Sequence, residues 1–300
     1  MPIRYDITHT TVYRYQRPVS FGEHRVMFRP RDSHDLRVLA TDLQVSPEAT
    51  VRMIQDPHSN SVALVRPLSS ATELRIVCTF TIEHAPGDTL ELPLSPSAEW
   101  FPFAYTVDER FDLEQYLRPH YDDPDGKLSA WARQFIRTDG PTGTRAMLLQ
   151  MNQHIRDHFR YAARDEEGTQ TPAETLELGS GSCRDFALLM MEAVRRLGVA
   201  ARFVSGYLYD PALDGAAQGR GDVVGSGSTH AWLQAYLPGA GWVPFDPTNN
   251  LLARAQLIRV GVARDPRLAA PISGTWYGPV DAYLGMDASV QVRRQDNTDQ

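Results

Sequence analysis

The spacing of apolar residues changes twice along this 300-residue chain, and that limits the folds open to it. Over residues 1–86 the period is two. Ile3, Tyr5, Ile7, His9, Thr11, Tyr13 and Tyr15 stand at alternate positions, as in a strand with one face turned inward. Residues 38–45, 50–54, 61–65 and 74–83 are rich in β-branched side chains, with a turn signal at Asp56-Pro57-His58-Ser59-Asn60. Strands this closely spaced predict a small β-sandwich over residues 1–86. Pro86, Pro93, Pro96, Pro102, Pro119 and Pro124 then punctuate the chain. They predict a linker at 87–125 that drapes over the next unit.

From residue 126 the period becomes helical. Residues 128–136 form one candidate helix. Met147, Leu148, Met151, Ile155 and Phe159 mark another within 144–160. A short segment runs from Thr171-Pro172 to Gly179. Phe186, Ala187, Met190, Ala193, Val194 and Leu197 then form a stripe that Gly198 stops. Alternation returns over 201–209, 230–237, 241–246, 256–263 and 288–293. Helices followed by strands predict an α+β unit at 126–294 with an antiparallel sheet. Residues 219–227 read as a glycine-rich loop and 295–300 as a frayed tail.

The chemistry concentrates at Gly179-Ser180-Gly181-Ser182-Cys183. Small residues deliver a cysteine to the first turn of the helix carrying the last stripe. Unpaired N–H groups and the helix dipole favour an anion there, and a thiolate is the anion at hand. His230 opens a strand in Thr229-His230-Ala231-Trp232, where an imidazole can take a thiol proton. Asp246 ends a neighbouring strand in a hairpin through Pro238-Gly239-Ala240-Gly241. Its carboxylate can fix the imidazole's tautomer. Cys78, within Ile76-Val77-Cys78-Thr79-Phe80, reads as a buried small hydrophobe.

Composition removes several classes of function. Lys plus Arg number 30 against 37 Asp plus Glu, a net charge of −7. Only one basic residue, Lys127, is a lysine, so no lysine-rich patch exists for a polyanion, and nucleic acid is not an expected partner. Two cysteines cannot build a disulfide framework. The alternating N-terminus has no continuous apolar segment of the kind a secretory signal needs, and no apolar run is long enough to cross a membrane. These readings predict a cytoplasmic protein. Zinc is disfavoured because no paired Cys-x-x-Cys or His-x-x-x-His spacing is present. A dinucleotide loop is disfavoured because Gly179-x-Gly181 lacks the third glycine. No EF-hand spacing calls for calcium, and no cofactor is expected. Arg220-Gly221-Asp222, an adhesion-type tripeptide, reads as a chance match.

The motif Gly181-Ser182-Cys183-Arg184-Asp185-Phe186-Ala187 resembles the nucleophile motif of the transglutaminase-like superfamily, in its bacterial branch with an extra N-terminal β domain. Residues 197–207, Thr229-His230-Ala231-Trp232, and Gly241-Trp242-Val243-Pro244-Phe245-Asp246-Pro247-Thr248-Asn249 resemble that branch's following passages. The match is strongest over 159–249. The resemblance implies a papain-like core with Cys183, His230 and Asp246 as a triad. It implies acyl transfer from a peptide or isopeptide amide through a thioester, to water in a cysteine protease or amidase, or to an amine acceptor in a transamidase. The branch tilts the expectation toward hydrolysis; a non-catalytic, peptide-binding scaffold is the rival. The Cys183 backbone N–H is one oxyanion donor. Tyr161 is the positional candidate for the second, and a plain cleft-wall tyrosine is the equal alternative. Arg184 and Asp185 are typical of the branch, either as substrate contacts or as a structural pair. Trp232 completes the oxyanion and substrate candidates. Partners are a peptide or protein substrate; oligomeric state is open.

Overall fold

A computed structural model describes residues 2–85, 93–164, 166–211, 227–250 and 256–295. Six strands come first: β1 (Ile3–Phe21), β2 (His24–Val26), β3 (Leu36–Ser46), β4 (Ala49–Gln55), β5 (Ser61–Pro67) and β6 (Ala71–His84). The middle of the chain holds β7 (Trp100–Phe101), α1 (Val107–Asp112), α2 (Glu114–Leu117), α3 (Lys127–Arg133), β8 (Thr142–Gly143), α4 (Thr144–His158), β9 (Arg160–Tyr161), α5 (Pro172–Leu178), β10 (Ser180–Gly181) and α6 (Cys183–Arg196). Strands then return as β11 (Ala201–Leu208), β12 (Thr229–Leu237), β13 (Gly241–Phe245), β14 (Leu257–Ala263), β15 (Ile272–Ser273), β16 (Trp276–Tyr277) and β17 (Tyr283–Arg294). The expected glycine-rich loop, its Arg220-Gly221-Asp222 tripeptide and the end of the tail lie outside the described residues, apart from Gly227 and Gln295.

The early strands form two antiparallel sheets, ordered β16-β1-β6-β3 and β15-β2-β5-β4. Ile7, Val26, Phe28, Val62, Val65, Leu74, Ile76 and Phe80 from both sheets share one buried cluster. Alternation on β1 places Tyr5, Ile7, His9 and Thr11 inward. His9 is accommodated there by hydrogen bonds to the Tyr207 hydroxyl at 2.9 Å and Thr11 at 3.2 Å. Burial drives its pKa down to about 3, so it is a neutral core histidine.

The chain's last strand departs from the sequence reading. Residues 288–293 were expected in the second unit, but β17 pairs with β1, from Tyr5 opposite Arg294 to Tyr15 opposite Tyr283. Alternation marks a strand without naming its partner, and a 19-residue β1 offers an edge long enough to take it. The prolines at 87–125 also hid two short helices. α1 is started by a capping box, in which the Thr106 N–H donates to Glu109 at 2.9 Å and the Glu109 N–H donates to the Thr106 hydroxyl at 3.2 Å. Just before it, Tyr105 donates its hydroxyl to the Tyr236 carbonyl at 2.9 Å and accepts the Ala200 N–H at 3.0 Å. These bonds tie the segment to the second sheet.

That second sheet is antiparallel, ordered β13-β12-β11-β14. Phe186, Ala187, Met190, Ala193 and Val194 of α6 pack against Phe203, Ala231, Leu233, Ala235 and Phe245. Burial on this scale, at roughly 1.5–3 kcal/mol per large apolar side chain, fixes α6 on the sheet. α6 is buried almost all round, so its polar side chains need internal partners. Arg195 donates to Glu192 at 2.8 Å, and Glu192 also accepts the His120 N–H at 3.0 Å. The hairpin turn between β4 and β5 reaches this sheet too. The Asn60 amide donates to the Val262 carbonyl at 2.7 Å and accepts the Val262 N–H at 2.9 Å, continuing the edge of β14. Among the described residues no helix is long and apolar enough to cross a membrane.

Candidate active site

The Gly/Ser turn delivers Cys183 by a chain of local bonds. Gly179 ends α5 in the left-handed region at φ 56°, which suits glycine. β10 then pairs in parallel with β9, setting Gly181 beside Tyr161. The Arg160 N–H donates to the Gly179 carbonyl and the Ala162 N–H to the Gly181 carbonyl, both at 2.9 Å. A Cβ on Gly181 would stand 2.8 Å from that of Asp185, so no larger residue fits the turn. Ser182 donates both its backbone N–H and its hydroxyl to Asp185 Oδ2 at 2.8 Å. Asp185 Oδ1 accepts the Gln170 N–H at 2.7 Å and Arg164 Nη1 at 3.0 Å. Asp185 is fully buried, and these four donors meet its charge. Its partners are Ser182, Gln170 and Arg164, not Arg184, and these bonds hold the turn from which Cys183 begins α6.

His230 and Asp246 come from adjacent strands of the second sheet. β12 and β13 form the expected hairpin, with Leu233 opposite Phe245, so Asp246 leaves β13 near the start of β12. His230 Nε2 bonds Asp246 Oδ2 at 2.8 Å, with both side chains buried. Asp246 also accepts the Thr248 N–H at 3.0 Å and the Asn249 amide at 3.0 Å. Burial alone would raise the carboxyl pKa; the imidazolium and these donors outweigh it and hold Asp246 below its usual range. Burial likewise works against a charged His230. The Asp246 charge and hydrogen bond, with Cys183 beside the ring, reverse that and raise it to about 10. Nε2 is taken by Asp246 and Cys183 lies beside the ring, so the buried Nδ1 is the nitrogen left for the sulfur.

Cys183 and His230 open onto a cavity of about 700 Å3, a volume suited to a side chain or short peptide segment. Tyr161 stands on its wall, 37% exposed. Burial first, then the Cys183 charge, push its phenol pKa up, which keeps the hydroxyl protonated. Arg184 also lines the cavity and donates to the carbonyls of Arg164 and Glu166 at 3.2 Å. Trp232 is the exception. It is buried under the pair, its ring centroid 6.0 Å from that of His230, and it lies off the cavity. Its Cη2 would meet a Cβ on Gly206 at 2.7 Å. It packs against His230 from below.

Several contributors escaped the sequence reading. Arg164 is one, since a single arginine in a polar loop carries no signal. Asn249 and Thr248 lay within a quoted motif but had no stated role. Tyr283, Gly285 and Met286 of β17 form part of the cavity wall, so the strand added to the first sheet shapes the second unit's cleft. Among the described residues no group of three or more His, Cys, Asp or Glu side chains is disposed to hold a metal ion.

Fold and site together define a protein with a thiol at a helix start, facing a buried imidazole–carboxylate pair on an antiparallel sheet. The sequence matches the transglutaminase-like superfamily core over residues 129–247 and the bacterial transglutaminase-like N-terminal region over residues 5–83. The chain belongs to the transglutaminase-like superfamily. It is 26% identical over 296 residues to an uncharacterized protein of Mycobacterium leprae, covering 97% of this chain and 99% of that one. It is 26% identical over 303 residues to an uncharacterized protein of Mycobacterium tuberculosis, covering 96% and 92%. Its fold is similar to that of a candidate cysteine protease from Cytophaga hutchinsonii, with a TM-score of 0.71, 19% identity, and 100% and 93% of the two chains covered.

Proposed function

We propose that this protein is a thiol-dependent enzyme acting on peptide or isopeptide amides, with Cys183 as nucleophile, His230 as acid and base, and Asp246 as the group that orients His230. The observation carrying this is the bond from His230 Nε2 to Asp246 at 2.8 Å, which leaves Nδ1 for a cysteine at the first turn of a helix. A thiolate at Cys183 attacks the amide carbonyl. The oxyanion is met by the Cys183 backbone N–H and the Tyr161 hydroxyl. His230 gives its Nδ1 proton to the leaving amine as the C–N bond breaks, forming the thioester. Water, losing a proton to His230, then attacks the thioester, and the thiolate departs.

Hydrolysis is placed ahead of transamidation because the candidate protease of like fold carries that description. An amine entering in place of water would give transamidation by the same steps. Two free thiols, Cys78 and Cys183, fit a reducing cytoplasm, which we take as its compartment. In these terms the β-rich first unit is a two-sheet sandwich and the second a papain-like core.

The test incubates the protein with a diverse peptide mixture, with and without a primary amine, and reads products by mass spectrometry. Cleaved peptides that vanish in Cys183→Ala support hydrolysis; amine-coupled peptides would move the assignment to transamidation. No Cys183-dependent product of either kind, and no acyl-enzyme, would leave the scaffold reading.

A further inference from the structure

A second cavity, of about 290 Å3, lies between the first unit and the second sheet. Trp232 and Gln234 reach it from β12, while the intervening Ala231, Leu233 and Ala235 face α6, so it sits on the sheet face away from that helix. Arg202 of β11 and Arg259 of β14 enter from this face, and Arg31 enters from the first unit. Three arginines from three separate segments therefore line one small space.

Among the described residues two of the three lack a carboxylate partner, and Asp35 is the one carboxylate on the cavity wall, 3.7 Å from Arg259. Among the described residues neither Arg31 nor Arg202 forms an ion pair. The partners of Arg202 are neutral: it donates from Nε to Gln234 at 2.9 Å and lies over the Trp242 ring at 4.1 Å. The Tyr116 hydroxyl also contacts it. Arg31 donates to the Ser59 carbonyl at 3.4 Å. Burial, then repulsion from Arg259 and from Arg31, bring the Arg202 pKa down to about 9. A largely enclosed cation without a carboxylate is costly unless something else balances it. Arg31 and Arg202 therefore bring positive charge that no carboxylate among the described residues matches, with His34 and His84 the other titratable groups on the wall.

We infer that this cavity is a binding site for a small oxyanion, a phosphate or a carboxylate group, held by Arg31, Arg202 and Arg259. The planar forks of arginine match both kinds of oxygen pair. The volume admits inorganic phosphate or a short dicarboxylate and excludes a polyanion.

The full chain is titrated calorimetrically with inorganic phosphate and, separately, with succinate, at ionic strength fixed by sodium chloride. Saturable one-to-one binding of either anion is expected, with a dissociation constant of about 1 mM or tighter. Arg31→Gln, at the half-buried rim, should weaken it at least about tenfold without lowering the melting temperature of the free protein. Arg202→Gln is the second variant, with the same loss expected. Binding of phosphate alone assigns a phosphoryl group, and binding of succinate alone a carboxylate. The inference fails if neither anion binds saturably, or if binding persists unchanged in both variants.

Discussion

The two cysteines stand in regions that bury them about equally and treat them differently. Cys78 is in the middle of β6, opposite His9 of β1 and Leu43 of β3, with 2% of its surface exposed. Burial pushes its thiol up to about 11. Cys183 is 8% exposed at the first turn of α6, beside His230 and open to a cavity. Burial in a strand interior protects a thiol. Similar burial at a helix start sets the other sulfur beside a buried imidazolium. The difference lies in the polar groups around the sulfur, not in how much water reaches it.

The largest expected effect is on turnover. Cys183→Ala should remove thiol-dependent activity, whereas Cys78→Ala should leave the rate within about twofold, because Cys78 lies in a different unit from the site. Comparable losses in both variants would break the contrast. Alkylation gives the next effect. With iodoacetamide at pH 7, peptide mapping should show Cys183 labelled more than about 100-fold faster than Cys78, since a thiol at 11 is almost wholly protonated there. His230→Ala should slow the labelling of Cys183 and leave Cys78 unchanged.

Smaller effects sharpen the role of each neighbour. Tyr161→Phe should lower kcat by about 100-fold, the low end of what loss of one oxyanion donor costs, with little change in KM. An unchanged kcat would return Tyr161 to the cleft wall. For the ion pair, a raised His230 pKa stabilises the fold fully below the unfolded value near 6.5, and this is lost as pH rises toward about 10. A lowered Asp246 pKa stabilises it above the unfolded value near 3.8, and this is lost as pH falls through the folded one. The melting temperature of Asp246→Asn should therefore fall furthest below wild type between about pH 4 and 6.5, with the gap closing toward pH 10. A gap independent of pH would mean the pair is held by packing and not by charge.

Much of the site could be read from the chain because its parts are local. The Gly/Ser turn, the helix stripe that ends at Gly198, and the hairpin that sets Asp246 near His230 are all short-range patterns. Spacing alone could not separate Trp232 from its neighbour in the motif. Period two puts both on one face, but only His230, at the strand's end, reaches the cavity. Asp185 could not be assigned for the opposite reason. Two of its four donors, Arg164 and the Gln170 N–H, come from a loop whose return to α6 is not written in any local spacing.

What the sequence by itself determined is the change from strand-rich to helix-rich and back, the antiparallel second sheet, and the placing of a thiol at a helix start, an imidazole at a strand start and a carboxylate at the end of its hairpin partner. Hydrophobic period, turn residues and helix ends are properties of neighbouring residues, so they survive in one dimension. What only the tertiary structure decided is partnership across distance. β17 pairs with β1 nearly the full length of the chain away and walls the cleft, Asn60 extends the edge of β14, and Arg31, Arg202 and Arg259 line one cavity. Such pairings depend on which edges and cavities remain once the cores have closed, and no local pattern encodes that.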